Sequence, residues 1–305
     1  MMNGSLTESA VLAEGLVKSY GKVKALGGVS LDVRHGETFG IIGPDGAGKS
    51  TLFRLLTSLL VPDSGSAQVE GLDTVKDYRE IRKIIGYMPG KFSLYQDLTV
   101  EENLTFFATL FGTTIDENYH LIEDIYKQLE PFKARMAGKL SGGMKQKLAL
   151  CCALIHKPKV LFLDEPTTGV DPVSRKEFWD MLGRLKNDGI TILVSTPYMD
   201  EAGRCDRIAL IRNGKFLTVN SPAGIIAEFP DRLYSVRSDR MHALLGDLRA
   251  YSGTIRAFSF GESVHLSTGD GFSEDDLRKF LQDRKHNNVE INAIRPSVED
   301  CFMRI

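Results

Sequence analysis

Three short runs in the chain are apolar with no alternation: FGII at 39–42, VLFLD at 160–164 (up to its closing acid) and ITILV at 190–194, where Thr191 is the one polar residue. A strand with one wet face alternates apolar and polar residues. A run without alternation reads as a strand covered on both faces, as in the parallel sheet of an α/β protein. After the first run the period becomes helical, with Leu52, Leu55, Leu56 and Leu59 on one stripe. Residues 207–219, RIALIRNGKFLTV, read as two more strands joined at Asn213-Gly214, a pair that tolerates the positive φ values of a tight hairpin. Ser221-Pro222 then opens a short helix that closes this region near Phe229-Pro230.

From Arg232 the pattern changes. It predicts a strand at 233–236 and a helix at 239–250 with Met241, Leu244, Leu245 and Leu248 on one face. Beyond it come strands near 254–259 and 263–267, a helix at 275–283 and a last strand at 289–294. The order β-α-β-β-α-β points to a small ferredoxin-like domain. The chain thus divides into residues 11–229 and an accessory α+β domain at 230–305, with dimer contacts or regulation as its expected role. His242, His265 and His286 stand apart in sequence and read as surface or packing residues rather than ligands.

Composition narrows the function classes. The 305 residues are 42% hydrophobic and 26% charged, enough to bury a real core. The formal net charge is -2 and the basic residues are scattered, which argues against a nucleic-acid partner. No apolar run approaches the roughly 20 residues of a membrane span, and the opening MMNGSLTESAVLAEGL carries no basic-then-apolar leader pattern. The chain reads as cytoplasmic, reaching a membrane only through another subunit. Cys151, Cys152, Cys205 and Cys301 have no metal-ligand spacing and read as reduced structural thiols.

The first chemical motif joins the 39–42 strand to the leucine-striped helix: Gly43-Pro44-Asp45-Gly46-Ala47-Gly48-Lys49-Ser50, followed by Thr51. This is G-x-x-x-x-G-K-[ST] between strand and helix. Glycines let successive backbone N–H groups turn inward around phosphates, at a helix N-terminus whose dipole favours anions. Lys49 is the expected β,γ-phosphate contact and Ser50 the Mg²⁺ ligand, so ATP and Mg²⁺ are the implied cofactors. The run at 160–164 ends in Asp164 and Glu165, and ligands of such sheets sit at the carboxyl ends of the strands. Asp164 is the expected Mg²⁺ carboxylate, acting directly or through the ion's other ligands, and Glu165 the catalytic group that polarises the attacking water.

Between these motifs lies Leu140-Ser141-Gly142-Gly143-Met144, where the sequence resembles the ATP-binding-cassette (ABC) family, whose signature is LSGGQ. Ser141 is a natural cap for the helix after it, running through His156. Tyr20 resembles the aromatic that stacks on adenine, and Gly169-Val170-Asp171-Pro172 the loop that crosses between two cassettes. Residues 84–104, IIGYMPGKFSLYQDLTVEENL, resemble the segment that receives a transmembrane subunit, with Phe92, Leu94 and Tyr95 as contact candidates. The tail at 295–302, RPSVEDCF, looks like that of drug-exporter (ABC-2) cassettes. The likeness is strong over 11–229 and weaker beyond. It implies an α/β P-loop NTPase cassette with a mixed sheet core, an antiparallel β subdomain and a helical subdomain at about 90–158. It implies as well that Ser141, Gly142 and Gly143 face the nucleotide of a second cassette, and that permease subunits are partners.

Two positions depart from that pattern. Pro197 stands where relatives carry a histidine that contacts the γ-phosphate, and Gly90 where they carry a glutamine that touches Mg²⁺ and the attacking water. Loss of one preorganised contact to developing charge costs roughly 10² to 10³ in rate, whereas ATP binding rests on many other contacts. The sequence therefore reads as the ATP-binding subunit of an exporter whose own site is hydrolysis-impaired and which pairs with a competent cassette. The alternative is a regulatory, largely non-hydrolysing nucleotide-binding subunit.

Overall fold

A computed structural model describes residues 9–305, so the leader reading of the opening residues falls largely outside the described residues. The chain forms two compact units, up to Ser221 and from Pro222.

In the first unit two long strands, β1 (Ser9–Tyr20) and β2 (Val23–Arg34), pair antiparallel. β3 (Thr38–Ile42) then runs through the glycine-rich loop into α1 (Lys49–Leu56). β4 (Ser64–Val69) and β5 (Leu72–Asp73) return to β1 and complete a four-stranded antiparallel sheet, β2-β1-β4-β5. α2 (Tyr78–Ile84) leads into β6 (Ile85–Met88). After a helical lobe, β7 (Val160–Asp164), α6 (Pro172–Asn187), β8 (Thr191–Thr196), β9 (Arg207–Arg212) and β10 (Lys215–Asn220) complete a six-stranded sheet, β10-β9-β3-β8-β7-β6. Every pairing in it is parallel except the β9–β10 hairpin. The three apolar runs fall in its central strands β3, β7 and β8, buried at every position. One core joins the two sheets through α1, with Phe53 edge-on to Phe162 at 5.7 Å. Asn213 and Gly214 both take positive φ at the hairpin turn, as the sequence predicts.

The helical lobe consists of α3 (Val100–Leu110), α4 (Ile115–Tyr126) and α5 (Gly142–Leu154). Thr99 with Glu102 and Thr114 with Glu117 form capping boxes that start the first two helices. Asn103, fully buried, accepts the Tyr95 N–H and donates to the Tyr95 carbonyl, which fixes the segment entering the lobe. In consequence Leu94 points inward, whereas Tyr95 stays half-exposed against Phe106 and Phe92 lies under the Lys145 ammonium. The helix begun at Ser141 ends at Leu154, short of His156. His156 stacks on Phe111 at 3.8 Å and its Nε2 lies 2.8 Å from the Ile85 carbonyl, which requires the proton on Nε2. Its buried Nδ1 has no hydrogen-bond partner among the described residues.

Polar groups tie the far ends of β7 and β8 together. Glu201, in the short 3₁₀ turn Met199–Arg204, is buried and accepts hydrogen bonds from Thr167 Oγ1 (2.8 Å), Thr196 Oγ1 and the Arg175 guanidinium (3.0 Å). One carboxylate thereby links the loop after β7, the last residue of β8 and the first turn of α6.

The second unit contains α7 (Pro222–Ala227), β11 (Arg232–Arg237), α8 (Met241–Ala250), β12 (Thr254–Phe260), β13 (Ser263–Thr268), α9 (Glu274–Asp283), β14 (Glu290–Ala293) and α10 (Val298–Arg304). Its antiparallel sheet has the order β12-β13-β11-β14, the arrangement expected of the β-α-β-β-α-β pattern. Leu244 and Leu248 of α8 and Leu277 and Leu281 of α9 fill its core. The sequence pattern puts α7 with the first region; it belongs here because it packs on α10, where Cys301 Sγ reaches the Ile225 carbonyl at 3.5 Å. Two of the histidines here are packing groups with partners, His265 bonding Asp300 (2.7 Å) and His286 bonding Asp247 and Ser238 (each 2.8 Å), whereas His242 is exposed. All four cysteines are free and buried, and burial pushes their thiols up.

These contacts set two expectations for stability. Glu201→Ala leaves Arg175 and two hydroxyls without their shared acceptor and is expected to cost about 3–5 kcal/mol in denaturant unfolding, with Glu201→Gln less damaging. Burial lowers the His156 pKa, and the Ile85 carbonyl opposes this only in part. The unfolded imidazole therefore takes its proton more readily, and stability falls as pH drops through the ordinary histidine value and below. Melting curves from pH 8 to 5 are expected to show less of this loss in His156→Asn.

Candidate functional site

The parallel register brings the two chemical motifs to one end of the central sheet. β8 lies between β3 and β7, with Ser195 opposite Ile41 on one side and Asp164 on the other. The loop after β3 and the acids at the end of β7 therefore emerge side by side.

Residues 43–50 form a tight loop whose glycines are fixed by sterics at two points. A Cβ on Gly43 would stand 2.1 Å from the Ile211 carbonyl oxygen. Gly48 caps α1 at φ 107°, and a Cβ there would meet the Ala25 carbonyl oxygen at 2.5 Å. The hairpin turn braces the loop from below, with the Gly214 N–H donating to the Ala47 carbonyl at 3.0 Å. Pro44, Asp45 and Gly46 are exposed at its tip, while Ala47 is buried and Ser50 and Thr51 lie half-buried in the first turn of α1.

Lys49 is only 3% exposed. Its ammonium donates to the Gly43 carbonyl at 2.7 Å and the Pro44 carbonyl at 3.0 Å, and forms an ion pair with Glu165 at 3.1 Å. Asp45 stands farther off at 4.0 Å. A buried cation needs a counter-charge, and the carboxylate of Glu165 supplies it. The two residues expected to act on different atoms of a nucleotide are thus bound to each other.

Asp164 is 3% exposed and accepts the Ser195 hydroxyl at 2.6 Å. Glu165 has φ 51°, a region non-glycine residues seldom occupy, and its N–H donates to both the Ser195 carbonyl (3.0 Å) and the Ser195 hydroxyl (3.1 Å). Tyr87, on β6, lies within the field of Asp164; burial and that charge push its hydroxyl up to about 12. No cluster of three or more His, Cys, Asp or Glu side chains stands at metal-binding spacing among the described residues. The Ser50 hydroxyl and the Asp164 carboxylate are hard oxygen donors that suit Mg²⁺, an ion commonly held by one or two protein groups together with substrate phosphates.

The other expected residues lie apart from this cluster. Tyr20 ends β1 and is 45% exposed. Ser141 caps α5 through the Met144 N–H at 3.3 Å, with Gly142 exposed and Gly143 half-buried beside Ser174. Asp171 caps α6 through the N–H groups of Val173 and Ser174. Among the described residues, no hydrogen bond or ion pair joins Tyr20 or 141–143 to Lys49, Asp164 or Glu165. A Cβ on Gly90 would stand 3.1 Å from the Asp164 carbonyl oxygen and 3.8 Å from Glu165 Cβ, so a side chain at this position would start against the acids. Pro197 directly succeeds Thr196, whose carbonyl accepts the Gly43 N–H at 3.2 Å.

Sequence reasoning missed Ser195, Glu201 and Arg175. The first two lie beside residues it did single out, yet a serine inside an apolar strand and a glutamate in a polar turn carry no pattern of their own. A separate groove of about 450 Å³ runs between the sheet core and the helical lobe, walled by Leu59, Tyr87, Leu94, Phe107, Phe111 and His156.

Known proteins match this arrangement closely. The ABC transporter family matches residues 26–168. The Nod factor export ATP-binding protein I of Rhizobium sp. (strain N33) is 35% identical over 304 residues, 98% of each chain. The daunorubicin resistance ATP-binding protein DrrA2 of Streptomyces coeruleorubidus is 35% identical over 305 residues, 97% of this chain and 94% of its own. The "Probable multidrug ABC transporter ATP-binding protein YbhF" of Escherichia coli (strain K12) is 38% identical over 308 residues, 98% of this chain; the chain spans only 52% of that protein. Among solved structures, cbiO1 of Clostridium perfringens, part of the ABC transporter complex cbiONQ, superposes with a TM-score of 0.65 at 28% identity, covering 73% of this chain and 92% of its own. The dimeric ATP-binding cassette MJ0796, in a post-hydrolysis state bound to ADP and Pi, does so with 0.63 at 26%, covering 69% and 98%. With the glycine loop, the acidic strand end and the capped SGG helix all in place, this chain belongs to the ABC transporter family as one of its ATP-binding, ATPase-type cassettes.

Proposed function

We propose that the chain is the ATP-binding subunit of an exporter and drives membrane permease subunits by nucleotide-dependent pairing with a second cassette. The observation that carries the reading is the buried Lys49 ammonium, ringed by loop carbonyls and Glu165 at the carboxyl end of the sheet. That is a site built to receive a polyanion, in a chain whose relatives include export and drug-resistance ATP-binding proteins along nearly its whole length.

On this reading the γ-phosphate displaces the Glu165 carboxylate from Lys49. Ser50 and Asp164 hold Mg²⁺, and Tyr20, exposed at the end of β1, stacks on the adenine. Glu165, once released, orients the water whose oxygen attacks the γ-phosphorus as the bridging oxygen to the β-phosphate departs. The exposed Ser141 and Gly142, with Gly143, serve the nucleotide of the partner cassette through the free N–H groups of the α5 start. The apolar groove beside Leu94, together with half-exposed Tyr95 next along the chain, receives the permease and so holds the chain at the cytoplasmic face of the plasma membrane.

Gly90 and Pro197 make this chain's own site the weaker of the two. Each removes a side chain that would touch the γ-phosphate, Mg²⁺ or the water, while the groups that grip the nucleotide remain. A competent partner cassette, completed by this chain's intact 141–143, then carries most of the turnover.

The test is steady-state ATP turnover with ATP affinity for the native chain and for Gly90→Gln/Pro197→His. The native chain is expected to bind ATP and turn over slowly, and the double variant to gain roughly 10²-fold in rate at similar affinity. Equal turnover by the two proteins would remove the impaired-site reading and leave Glu165 working without either contact.

A further inference from the structure

Ser195 is fully buried at the end of β8, the strand between the phosphate-loop strand and the acidic strand. Its hydroxyl has one proton, and a carboxylate only accepts, so the 2.6 Å bond to Asp164 Oδ1 runs from Ser195 to Asp164. The same oxygen then offers a lone pair to the Glu165 N–H at 3.1 Å, beside the Ser195 carbonyl at 3.0 Å. One side chain therefore sets the rotation of the Asp164 carboxylate and, through the backbone, the departure of Glu165 at its positive φ of 51°. A glutamate in that region persists only where its surroundings over-determine it, and two acceptors on one N–H do so here. Asp164 Oδ2 takes no hydrogen bond among the described residues.

We propose that Ser195 is a positioning residue for the nucleotide-bound metal: it holds Asp164 so that Oδ2 faces the ion, and it holds Glu165 in register with it. The proposal rests on the reading of Asp164 as the Mg²⁺ carboxylate. Ser195 touches neither nucleotide nor metal. It acts as the hydrogen-bonding partners of metal ligands do, whose loss typically costs 10- to 100-fold in metal affinity.

The experiment titrates Mn²⁺ into the full chain loaded with substoichiometric ATP, so that no nucleotide is left free to chelate the metal, and tracks the free Mn²⁺ signal by electron paramagnetic resonance against ATP alone, with metal-free ATP binding measured by calorimetry. Ser195→Ala is expected to weaken Mn²⁺ binding about 10- to 100-fold and leave metal-free ATP affinity within about twofold. Ser195→Thr, which restores the hydroxyl, is expected to recover most of the loss. Should the added methyl of threonine prevent folding, Ser195→Cys, close in size with a weak donor, is expected to fall between native and alanine. Native-like Mn²⁺ affinity in Ser195→Ala, or equal loss in alanine and threonine variants, overturns the proposal alone. A native chain that binds ATP but recruits no Mn²⁺ overturns the metal reading of Asp164 and this inference with it.

Discussion

Everything at the site hangs on the last two carbonyls of β8. The Thr196 carbonyl takes the Gly43 N–H at the start of the phosphate loop, and the Ser195 carbonyl takes the Glu165 N–H at the end of the acidic strand. Parallel pairing on both flanks forces β3 and β7 to stop level with this point, so the loop and the acids are clamped to one strand end. The order β3-β8-β7 is the constraint that makes chemistry from motifs more than a hundred residues apart. Glu201 extends the clamp: it fixes Thr196 and Thr167 together and reaches α6 through Arg175.

The same strand end explains how proline sits where a polar side chain would be at home. The ladder between β3 and β8 closes with Ile42 opposite Thr196, so the position after it owes no N–H to a neighbouring strand. A residue before proline is held extended, which suits the last residue of a strand. Tyr198 resumes the backbone by donating its N–H to Thr196 Oγ1 at 3.1 Å, and its ring carries the Arg175 guanidinium at 4.1 Å. Pro197 therefore costs the fold nothing that the strand end required.

Legibility in the sequence tracked the reach of each interaction. The three apolar runs were readable because burial on both faces removes the polar alternation of a half-exposed strand, and Asn213-Gly214 because φ sterics act within two residues. The glycine-rich loop was readable for the same local reason. The second unit was legible as an order of elements, whereas the place of α7 depended on α10, some seventy residues on. Leu94 and Tyr95 lie next to each other in a polar segment, and only the distant Asn103 decides which of them turns inward. Ser195 and Glu201 were invisible because their meaning lies wholly in partners from other elements.

On the proposed function, the pairing of Lys49 with Glu165 would separate binding from turnover. Lys49, 2% exposed at its side chain, has Glu165 as its counter-ion, so on that reading nucleotide entry exchanges one anion for another instead of creating a buried charge. That exchange depends on Lys49, the loop N–H groups and the helix start, all of which are present. In that proposal the exchange frees Glu165 as the γ-phosphate arrives and so couples loading of the site to release of its base. The rate then depends, in the same proposal, on contacts to the developing charge, where Gly90 has no side chain and Pro197 no polar group. On that reading affinity and rate are set by different residues, and grip is kept while the rate drops.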